Sequence, residues 1–419
     1  MTPSERVLAK VLDRTVRNGT LTITWSGGTR RTFGTPTPGF PEVAIRFADS
    51  RVARDTLTDM RLGFAEAFMD GRVPIESGDI MGLVQLMRSN NRWEEGRDLT
   101  PPSPTRKLKR RIGHFINSFN RPGKSKKNVA HHYDIGNDLY RLMLDKEHMQ
   151  YSCAYWSRED MTLAEAQEAK LAHIAAKLNL KPGQRVLDIG CGWGGMAIFL
   201  AQRAGVDVLG ITLSEEQLAL ARERAEAAGV ADRVRFELVD YRVLAERGER
   251  FERIVSVGMF EHVGQPQFET FFRACTRLLA DDGTMLLHTI GRMGGPGRTD
   301  AFTDKWIFPG GYIPALSETV AASEKVRLIA TDVETLRLHY GRTIREWYAR
   351  VVEHKDAIIG LHDARFYRLW TFYLAGAATA FESGSMCNYQ IQYARDRHAL
   401  PLTRGYIEEA ERALLETVT

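Results

Sequence analysis

A glycine-rich turn after a short apolar strand is the feature that most constrains the fold of this chain. Residues 185–189 read R-V-L-D-I, and residues 190–195 read G-C-G-W-G-G. Gly190 and Gly192 permit backbone angles and a close approach of a ligand that a Cβ atom would prevent. Asp188 stands just before the turn, where its carboxylate either orders the turn or binds an ammonium group. The segment predicts a strand, a ligand-binding turn and a helix.

Apolar runs of strand length alternate with segments of helical spacing around this turn. The predicted strands span residues 185–189, 206–211, 234–239, 253–257 and 284–289. The predicted helices between them span residues 196–203, 214–228 and 267–279. This alternation predicts an α/β fold with a doubly wound, mainly parallel sheet. Ligands of such sheets bind beyond the carboxyl ends of the strands, so the residues there are candidate site residues.

The turn has the spacing D-x-G-x-G-x-G, which includes Gly194, rather than the G-x-G-x-x-G of dinucleotide-binding proteins. The second strand also ends unusually, in T-L-S-E-E-Q, where an acidic residue would commonly bind ribose hydroxyls. Thr212 and Gln217 offer neutral hydrogen bonds for that role. Ser214 followed by Gln217 also fits a helix N-cap, and both interpretations can hold at once.

The length of 419 residues predicts two domains. Residues 1–95 form a small α+β domain, with strands over 21–25 and 43–47 and a helix over 55–68. A linker over residues 96–128 and a larger domain over residues 129–419 follow.

The linker is basic and contains four prolines, with about ten Lys and Arg against one acidic residue. Its basic residues flank apolar ones at near-helical spacing, which suits anionic lipid headgroups. A solvated hinge or a nucleic-acid patch remains open from this segment alone. The net charge of +4 does not itself imply nucleic acid.

Four widely spaced cysteines without a CxxC pair fit reduced thiols in a cytoplasm. The N-terminal residues lack an apolar signal core. No apolar stretch reaches the roughly 18 residues that span a bilayer. Any membrane contact is therefore expected to be peripheral.

Several further segments resemble one enzyme family when read with the glycine turn. They are V-A-H-H-Y-D-I-G-N-D-L-Y from residue 129, M-Q-Y-S-C-A-Y-W from 149, V-G-M-F-E-H-V-G from 257 and L-H-T-I-G from 287. With G-C-G-W-G-G and T-L-S-x-x-Q they resemble the cyclopropane-fatty-acyl-phospholipid synthases and the related mycolic acid cyclopropane synthases. The resemblance covers nearly all of residues 129–419 and extends more weakly to residues 1–95.

The resemblance implies a class I methyltransferase fold, a Rossmann-like sheet with a helical lid, that uses S-adenosylmethionine. An alkene is a poor nucleophile, but a sulfonium methyl group aligned with it is a strong electrophile. The cationic centre that forms must be kept from water and must lose a proton. By resemblance, a bound bicarbonate is the base, held by five residues: Cys153, Glu261, His288, Ile290 and Tyr340. Burial beside that anion predicts that Glu261 shares a proton with the bicarbonate or with His288.

For the cofactor, the resemblance adds residues near the glycine loop and the third strand. The predicted cofactor-binding set is Tyr151, Ser152, Asp188, Gly190, Gly192, Gly194, Thr212, Gln217, Asp240 and Tyr241. One departure concerns the segment Y-L-A-G-A-A-T-A-F from residue 373, where many relatives carry a cysteine at the position of Ala377. Covalent catalysis by that thiol is excluded in this chain, and the alkene chemistry does not need it.

The sequence therefore predicts a peripheral membrane enzyme of the cytoplasmic face that forms cyclopropane fatty acids in phospholipids, with no nucleic-acid partner. Helices over 344–355 and 365–381 would roof the sheet and line an acyl tunnel, with wall candidates Trp370, Phe372, Tyr373 and Phe381. Such apolar helices are more commonly core. The alternatives are methylation without ring closure, a small-molecule methyltransferase and a non-enzymatic binding protein. A homodimer is also consistent with the resemblance.

Overall fold

The computed structural model describes residues 1–60, 62–96 and 136–416, which form two compact units. The first unit holds the described residues up to 96 together with Asp300–Pro309 and Gly341–Met386. The second holds residues 136–299, 310–340 and 387–416. Most of the predicted basic linker and residues 129–135 of the first family motif lie outside the described residues.

Strands and helices alternate along most of the described residues. In chain order, the strands are β1 (Gly19–Thr24), β2 (Arg30–Thr35), β3 (Glu42–Arg46), β4 (Ile75–Ser77), β5 (Arg185–Ile189), β6 (Asp207–Thr212), β7 (Val234–Leu238), β8 (Phe251–Val257), β9 (Leu279–Arg292), β10 (Ile329–Leu336) and β11 (Met386–Ala394). The helices are α1 (Pro3–Thr15), α2 (Arg51–Thr58), α3 (Gly63–Met69), α4 (Ile80–Ser89), α5 (Asn137–Met143), α6 (Leu163–Lys177), α7 (Gly195–Ala204), α8 (Glu215–Ala227), α9 (Tyr241–Leu244), α10 (Phe268–Leu278), α11 (Ala301–Trp306), α12 (Leu316–Glu324), α13 (His339–Glu353), α14 (Lys355–Leu361), α15 (Ala364–Glu382) and α16 (Gly405–Glu416).

The first unit contains a four-stranded sheet in the order β2-β1-β3-β4. Strand β1 pairs antiparallel with β2 and parallel with β3, and β3 pairs antiparallel with β4. Trp25 anchors its core, with ring centroids 6.3 Å from Phe33 and 5.3 Å from Phe47 in edge-on contacts. Such aromatic pairs stabilise the core by more than the burial of each ring alone would. The α+β character predicted for residues 1–95 is present in this unit.

The single helix predicted over residues 55–68 is wrong, because the chain forms α2 and α3 there. Asp59 leaves helical geometry, with φ −134° and ψ 91°. A Cβ atom on Gly63 would lie 2.1 Å from the carbonyl oxygen of Asp55, so the tight turn between the helices needs glycine at this position. The helical spacing of apolar residues continues across this turn, so the sequence pattern does not reveal that the helix is broken.

The first unit also contains most of the helices that follow β10. Arg345 on α13 donates to Glu382 on α15 at 2.8 Å and to Gln85 on α4 at 3.0 Å. The ring of Phe372 on α15 lies 6.0 Å from that of Phe68 on α3. This grouping could not be predicted from the sequence, because periodicity reveals an apolar helix face but not the surface that covers it. The domain boundaries read from the sequence stay a prediction.

The second unit contains a seven-stranded sheet in the order β10-β11-β9-β8-β5-β6-β7. The five predicted strands are present, and neighbouring members among β5 to β9 pair in parallel. Two strands that were not predicted, β10 and β11, pair antiparallel with each other. The strand order reverses direction at β5, which has β6 on one side and β8 on the other. This reversal creates the crevice where doubly wound sheets bind ligands.

Both faces of this sheet are covered by apolar side chains. Leu187 and Ile189 of β5 belong to one buried cluster with α10, whereas Val186 belongs to a second cluster with α6 and α7. Successive strand residues point to opposite faces, so the near-continuous apolar run of β5 is what a doubly covered strand requires. Among the helices of the described ranges, none is long and apolar enough to cross a membrane.

Candidate active site

A cavity lies at the carboxyl ends of β5, β6, β7 and β8. The predicted cofactor-binding residues that line it are Tyr151, Ser152, Asp188, Gly190, Gly192, Thr212, Gln217, Asp240 and Tyr241. Gly194 is not among the lining residues. The strand ends of one sheet therefore bring together residues that are up to 90 positions apart in the chain.

The glycine turn after β5 uses its glycines in two different ways. A Cβ atom on Gly190, at φ +83°, would lie 2.7 Å from Cβ of Met259, whereas a Cβ atom on Gly192 would meet no described atom within 4 Å. Gly194, at φ +78°, stands at the start of α7, and a Cβ atom there would lie 2.7 Å from the ring of Phe236. Gly194 thus permits close packing behind the turn, while Gly190 and Gly192 line the cavity.

Asp188 ends the same strand with its side chain buried at 2% exposure. Its Oδ2 has no hydrogen-bond partner in the part of the chain that the structure describes. Burial raises the pKa of this carboxyl to about 7, and the charge of Lys170 opposes that rise. An unpartnered buried oxygen in a cavity wall fits a ligand that brings a hydrogen-bond donor, such as an α-ammonium group.

The residues after β6 support both interpretations of the T-L-S-E-E-Q segment. Ser214 is the N-cap of α8, and its Oγ accepts from the backbone N–H of Gln217 at 3.3 Å. The Thr212 hydroxyl donates to Oε1 of Gln217 at 3.1 Å. The helix cap is confirmed, and the polar pair of Thr212 and Gln217 also lines the cavity. Their contact with a ribose remains a prediction.

Arg242 is a cavity residue that sequence reasoning missed. Its guanidinium donates to both carboxylate oxygens of Asp240, at 2.8 and 2.7 Å, and lies 5.3 Å from the centre of the Tyr241 ring. The hydrogen bond to Asp240 raises the pKa of Arg242, so the guanidinium is charged. The signal was an arginine two residues after an acid at a strand end. The pair fixes an acid of the predicted cofactor-binding set.

The loop over residues 149–152 forms another wall of the cavity. The carboxylate of Asp145 accepts from the backbone N–H groups of His148, Met149 and Gln150, at 2.7, 3.1 and 3.0 Å. The Tyr151 ring lies 5.1 Å from that of Tyr140. A buried acid thus holds the loop in one shape, because charge-assisted hydrogen bonds to backbone donors are strong. Other lining residues, which the sequence did not assign to the cofactor, are Met149, Gln150, Trp193, Met259 and His262.

Glu261 and Ile290, two residues of the predicted bicarbonate cage, are in direct contact. Glu261 lies in a 3-10 turn after β8, and its Oε1 accepts from the backbone N–H of Ile290 on β9 at 2.6 Å. Its Oε2 is buried and has no hydrogen-bond partner among the described residues. Burial raises the pKa of Glu261 to about 7, against the lowering effect of the backbone hydrogen bond from Ile290. A carboxyl in this state exchanges a proton near neutral pH.

His288 lies two residues before Ile290 on β9 and is buried. Nδ2 of Asn388 lies 3.3 Å from Nε2 of the imidazole, and Nε2 of Gln390 lies 3.3 Å from Nδ1. Burial holds the pKa of His288 well below its usual range, so the ring is neutral. A neutral imidazole has one donor and one acceptor, and an amide can serve either after a flip. The two amides, both missed from sequence, therefore hold the ring from both sides, and one of them must present its oxygen to the protonated ring nitrogen.

Cys153 and Tyr340 lie on other segments of the second unit. Cys153 is fully buried, and its Sγ donates to the carbonyl oxygen of Ala154 at 3.3 Å. Burial raises the pKa of the thiol, which is therefore neutral. Trp156 donates from its backbone N–H to Nδ1 of His339, the neighbour of Tyr340, at 2.9 Å. The segments of Cys153 and Tyr340 are thus tied together, while their contact with a bicarbonate remains a prediction.

Comparison with known proteins gives one consistent result. The model of the mycolic acid cyclopropane synthetase family matches residues 120–391. A probable fatty acid methyltransferase of Pseudomonas putida is 41% identical over 286 residues, which cover 66% of this chain and 72% of that protein. The cyclopropane-fatty-acyl-phospholipid synthase of Escherichia coli K12 is 37% identical over 353 residues, covering 84% of this chain and 87% of that one.

A solved structure agrees with these sequence matches. The mycolic acid cyclopropane synthase CmaA1, complexed with SAH and CTAB, superimposes with a TM-score of 0.60 at 34% identity. The match covers 64% of this chain and 98% of that chain. The predicted fold class, a class I methyltransferase sheet, is confirmed.

Proposed function

The chain belongs to the mycolic acid cyclopropane synthetase family and is an S-adenosylmethionine-dependent methyltransferase, and from this premise we propose that it adds a methylene group to the cis double bond of an acyl chain in a membrane phospholipid. The observation that carries the proposal is the buried carboxyl of Glu261. It has one oxygen held by Ile290 and the other without a partner in the described ranges. This arrangement suits a protonated carboxyl that holds a proton-accepting anion in a site without water.

The cavity residues fit S-adenosylmethionine by chemistry. Asp188 presents an unpartnered buried oxygen for an ammonium group, and Thr212 with Gln217 presents neutral polar groups for hydroxyls. Asp240, held by Arg242, presents a carboxylate for the adenine amine. When bound, the cofactor supplies an electrophilic methyl group. These side chains bind and orient it, and orientation contributes much of the rate in such reactions.

Glu261 and His288 are among the groups that we propose to hold the proton acceptor. Once methylated, the acyl double bond carries positive charge, and ring closure requires the loss of one proton from the added carbon. We assign a bicarbonate as the acceptor, held by Glu261, His288, Ile290, Cys153 and Tyr340. The raised pKa of Glu261 supports this assignment, because a protonated carboxyl can stand beside an anion and donate to it.

No enzyme nucleophile is needed for this route, and the state of the cysteines is consistent with that. All four cysteine side chains are buried and free. Ala377 replaces the thiol that many relatives carry and lies on α15. The acyl double bond is itself the nucleophile. The wall candidates Trp370, Phe372, Tyr373 and Phe381 also lie on α15, and their contact with an acyl chain remains part of the proposal.

Lipid analysis tests the proposed reaction. The chain is expressed in a host whose phospholipids contain cis-unsaturated chains and whose own cyclopropane synthase has been deleted. We expect unsaturated chains to gain the mass of one CH₂ group and to show the upfield proton resonances of a cyclopropane ring. A Glu261→Gln strain should lack the product. Lipids of unchanged mass in the strain that expresses the active chain would refute the proposal.

A buffer experiment tests the bicarbonate. Purified protein is assayed with unilamellar vesicles of an unsaturated phosphatidylglycerol in buffer depleted of carbon dioxide. We expect turnover to fall and to recover when bicarbonate is added. Turnover that is indifferent to bicarbonate would place the proton on a protein group, and Glu261 would then be the first candidate.

Methylation without ring closure is the second candidate function. It is favoured by the similarity to the Pseudomonas putida protein, a probable fatty acid methyltransferase. A methylene-branched chain has the same mass as the cyclopropane product but shows vinylidene protons, and a saturated methyl branch carries two more hydrogens. Proton magnetic resonance of the same lipids therefore distinguishes the products.

The docking of the enzyme on the cytoplasmic face of an anionic membrane is also part of the proposal. It is supported by the basic and apolar residues of the linker, read from sequence alone. We expect flotation with phosphatidylglycerol vesicles at low salt and none with neutral phosphatidylcholine. Replacement of Lys124, Lys126 and Lys127 by serine should weaken flotation.

Whether the chain is a dimer is a separate question. Light scattering of the purified protein without vesicles measures it.

A further inference from the structure

Lys170 on α6 is a fully buried lysine that lies next to the loop of residues 149–152, the cofactor loop. Its ammonium group donates to Oγ of Ser152 at 3.0 Å and also to Oε1 of Gln150. Both partners line the cavity, whereas Lys170 itself does not. Any effect of Lys170 on a ligand therefore passes through these neighbours or through its charge.

Helix α6 holds the loop at a second point. Nε2 of Gln167, one turn before Lys170, donates to the carbonyl oxygen of Ser152 at 3.0 Å. The neutral amide is enough to fix the backbone of the loop. Lys170 adds a positive charge. Burying a cation costs far more free energy than burying an amide and is tolerated only where opposite charge lies nearby.

Two carboxyl groups act on the ammonium group through their charge, namely Asp145, whose oxygens organise the loop, and Asp188 at the end of β5. Lys170 also acts on His148 and His288, whose pKa values are lowered by burial. Asp188 has one buried oxygen without a partner in the part of the chain described by the structure. A cation in a region of low dielectric favours the ionised form of a neighbouring carboxyl. The position of Lys170 is thus linked to the charge on the cavity wall.

We propose that Lys170 is a positioning residue for the cofactor, which holds the side chains of Gln150 and Ser152 and favours the ionised form of Asp188, the acid that receives the α-ammonium group of S-adenosylmethionine. The proposal concerns cofactor binding alone. It stands whether the acyl product is a ring or a branch, and it does not depend on the bicarbonate.

The titration behaviour of the two groups agrees with this geometry. Burial lowers the pKa of Lys170 to about 7, and the charges of Asp145 and Asp188 oppose the shift. Burial raises the pKa of Asp188 to about 7, opposed by Lys170. Cys191, beside Asp188 in the glycine turn, is a neutral thiol because burial raises its pKa. Removal of the cation should therefore raise the pKa of Asp188 further.

The test measures the affinity of the protein for S-adenosylhomocysteine by calorimetry from about pH 5.5 to about pH 8. For the wild type, affinity should rise with pH as Asp188 ionises. For Lys170→Met, affinity near neutral pH should fall about tenfold, and the rise should move upward by about one pH unit. Lys170→Gln keeps a hydrogen-bond donor without the charge, so its profile should move in the same direction.

Lys177→Met is the matched control. Lys177 lies two turns further along α6, is equally buried, and pairs with Glu334 rather than with the cofactor loop in the contacts described. Its loss should lower thermal stability and leave the pH profile of affinity unchanged. An unshifted profile in Lys170→Gln, or an equal shift in Lys177→Met, would overturn the proposal. If no lysine variant folds, Asp188→Asn decides, because it must abolish the pH dependence seen in the wild type.

Discussion

The backbone N–H of Ile290 donates a 2.6 Å hydrogen bond to Oε1 of Glu261. The bond joins the segment after β8 to the neighbouring parallel strand β9. Tyr312 adds a 2.9 Å hydrogen bond from its backbone N–H to the carbonyl oxygen of Glu261. These contacts fix the carboxyl at the edge of the sheet where the cavity lies, although the two bonded residues are 29 positions apart in the chain.

Glu261→Gln should separate proton transfer from cofactor binding. We expect lipid product to fall by about 100-fold or more, because an amide cannot exchange the proton. Affinity for S-adenosylhomocysteine should stay close to that of the wild type. The control is Glu269→Gln on α10, a partly exposed residue that pairs with Arg273. Loss of cofactor affinity in Glu261→Gln would show that its carboxyl serves the cofactor instead.

The raised pKa of Glu261 predicts how stability depends on pH. The pKa rises from 4.5 to about 7 on folding, so the folded protein keeps this proton to a higher pH than the unfolded chain does. Stability of the wild type relative to Glu261→Gln should therefore fall between these two values, by on the order of 3 kcal/mol, and remain lower above them. Urea unfolding at about pH 5 and about pH 8 measures the difference. Equal pH dependence in both proteins would contradict the shift.

Two glycine variants should behave differently although both glycines line the cavity. In Gly190→Ala the new methyl group would lie 2.7 Å from Cβ of Met259 at φ +83°, so the turn must move and cofactor affinity should collapse. In Gly192→Ala no described atom lies within 4 Å of the new methyl group, so the loss of stability is mainly the cost of positive φ, about 1 to 2 kcal/mol. Its methyl group points into the cavity wall, so cofactor affinity should fall as well. Thermal unfolding and calorimetry with S-adenosylhomocysteine give both quantities. Identical losses of stability in the two variants would contradict this description of the turn.

Gln390→Leu should lower product formation without changing cofactor affinity. The substitution removes the partner of Nδ1 of His288, which leaves a buried polar atom unpaired and frees the ring to change tautomer. Gln392→Leu is the control, since the side chain of Gln392, two residues along the same strand, hydrogen-bonds to Tyr406 at 2.7 Å instead. We expect both variants to lose stability but only Gln390→Leu to lose turnover at saturating cofactor. A loss of turnover in both would mean that the strand, and not the imidazole, is responsible.

The order of strands β5 to β9 and the residues that line the cavity at their carboxyl ends could be predicted from the sequence. Strands β5 to β9 were found because each is an apolar run bounded by turn residues, and the residues at their ends follow from the geometry of parallel sheets. The assignment of Glu261 and His288 needed more than periodicity, namely the order of several motifs. Strand β11 was missed because its buried face carries Asn388 and Gln390, and polar residues in a strand do not predict burial.

The sequence by itself determined which segments form strands β5 to β9 and which side chains meet at their carboxyl ends, because strand and turn patterns are local. Only the tertiary structure decided which surfaces the remaining helices pack against and which charged side chains are buried. It placed the helices after Gly341 in the unit of the N-terminal sheet, and it buried Lys170 among carboxylates that are distant in sequence. A lysine on a helix is ordinarily solvated, and only the elements packed around it reveal otherwise. The physical reason is that burial and charge pairing depend on neighbours in space, which a local pattern does not contain.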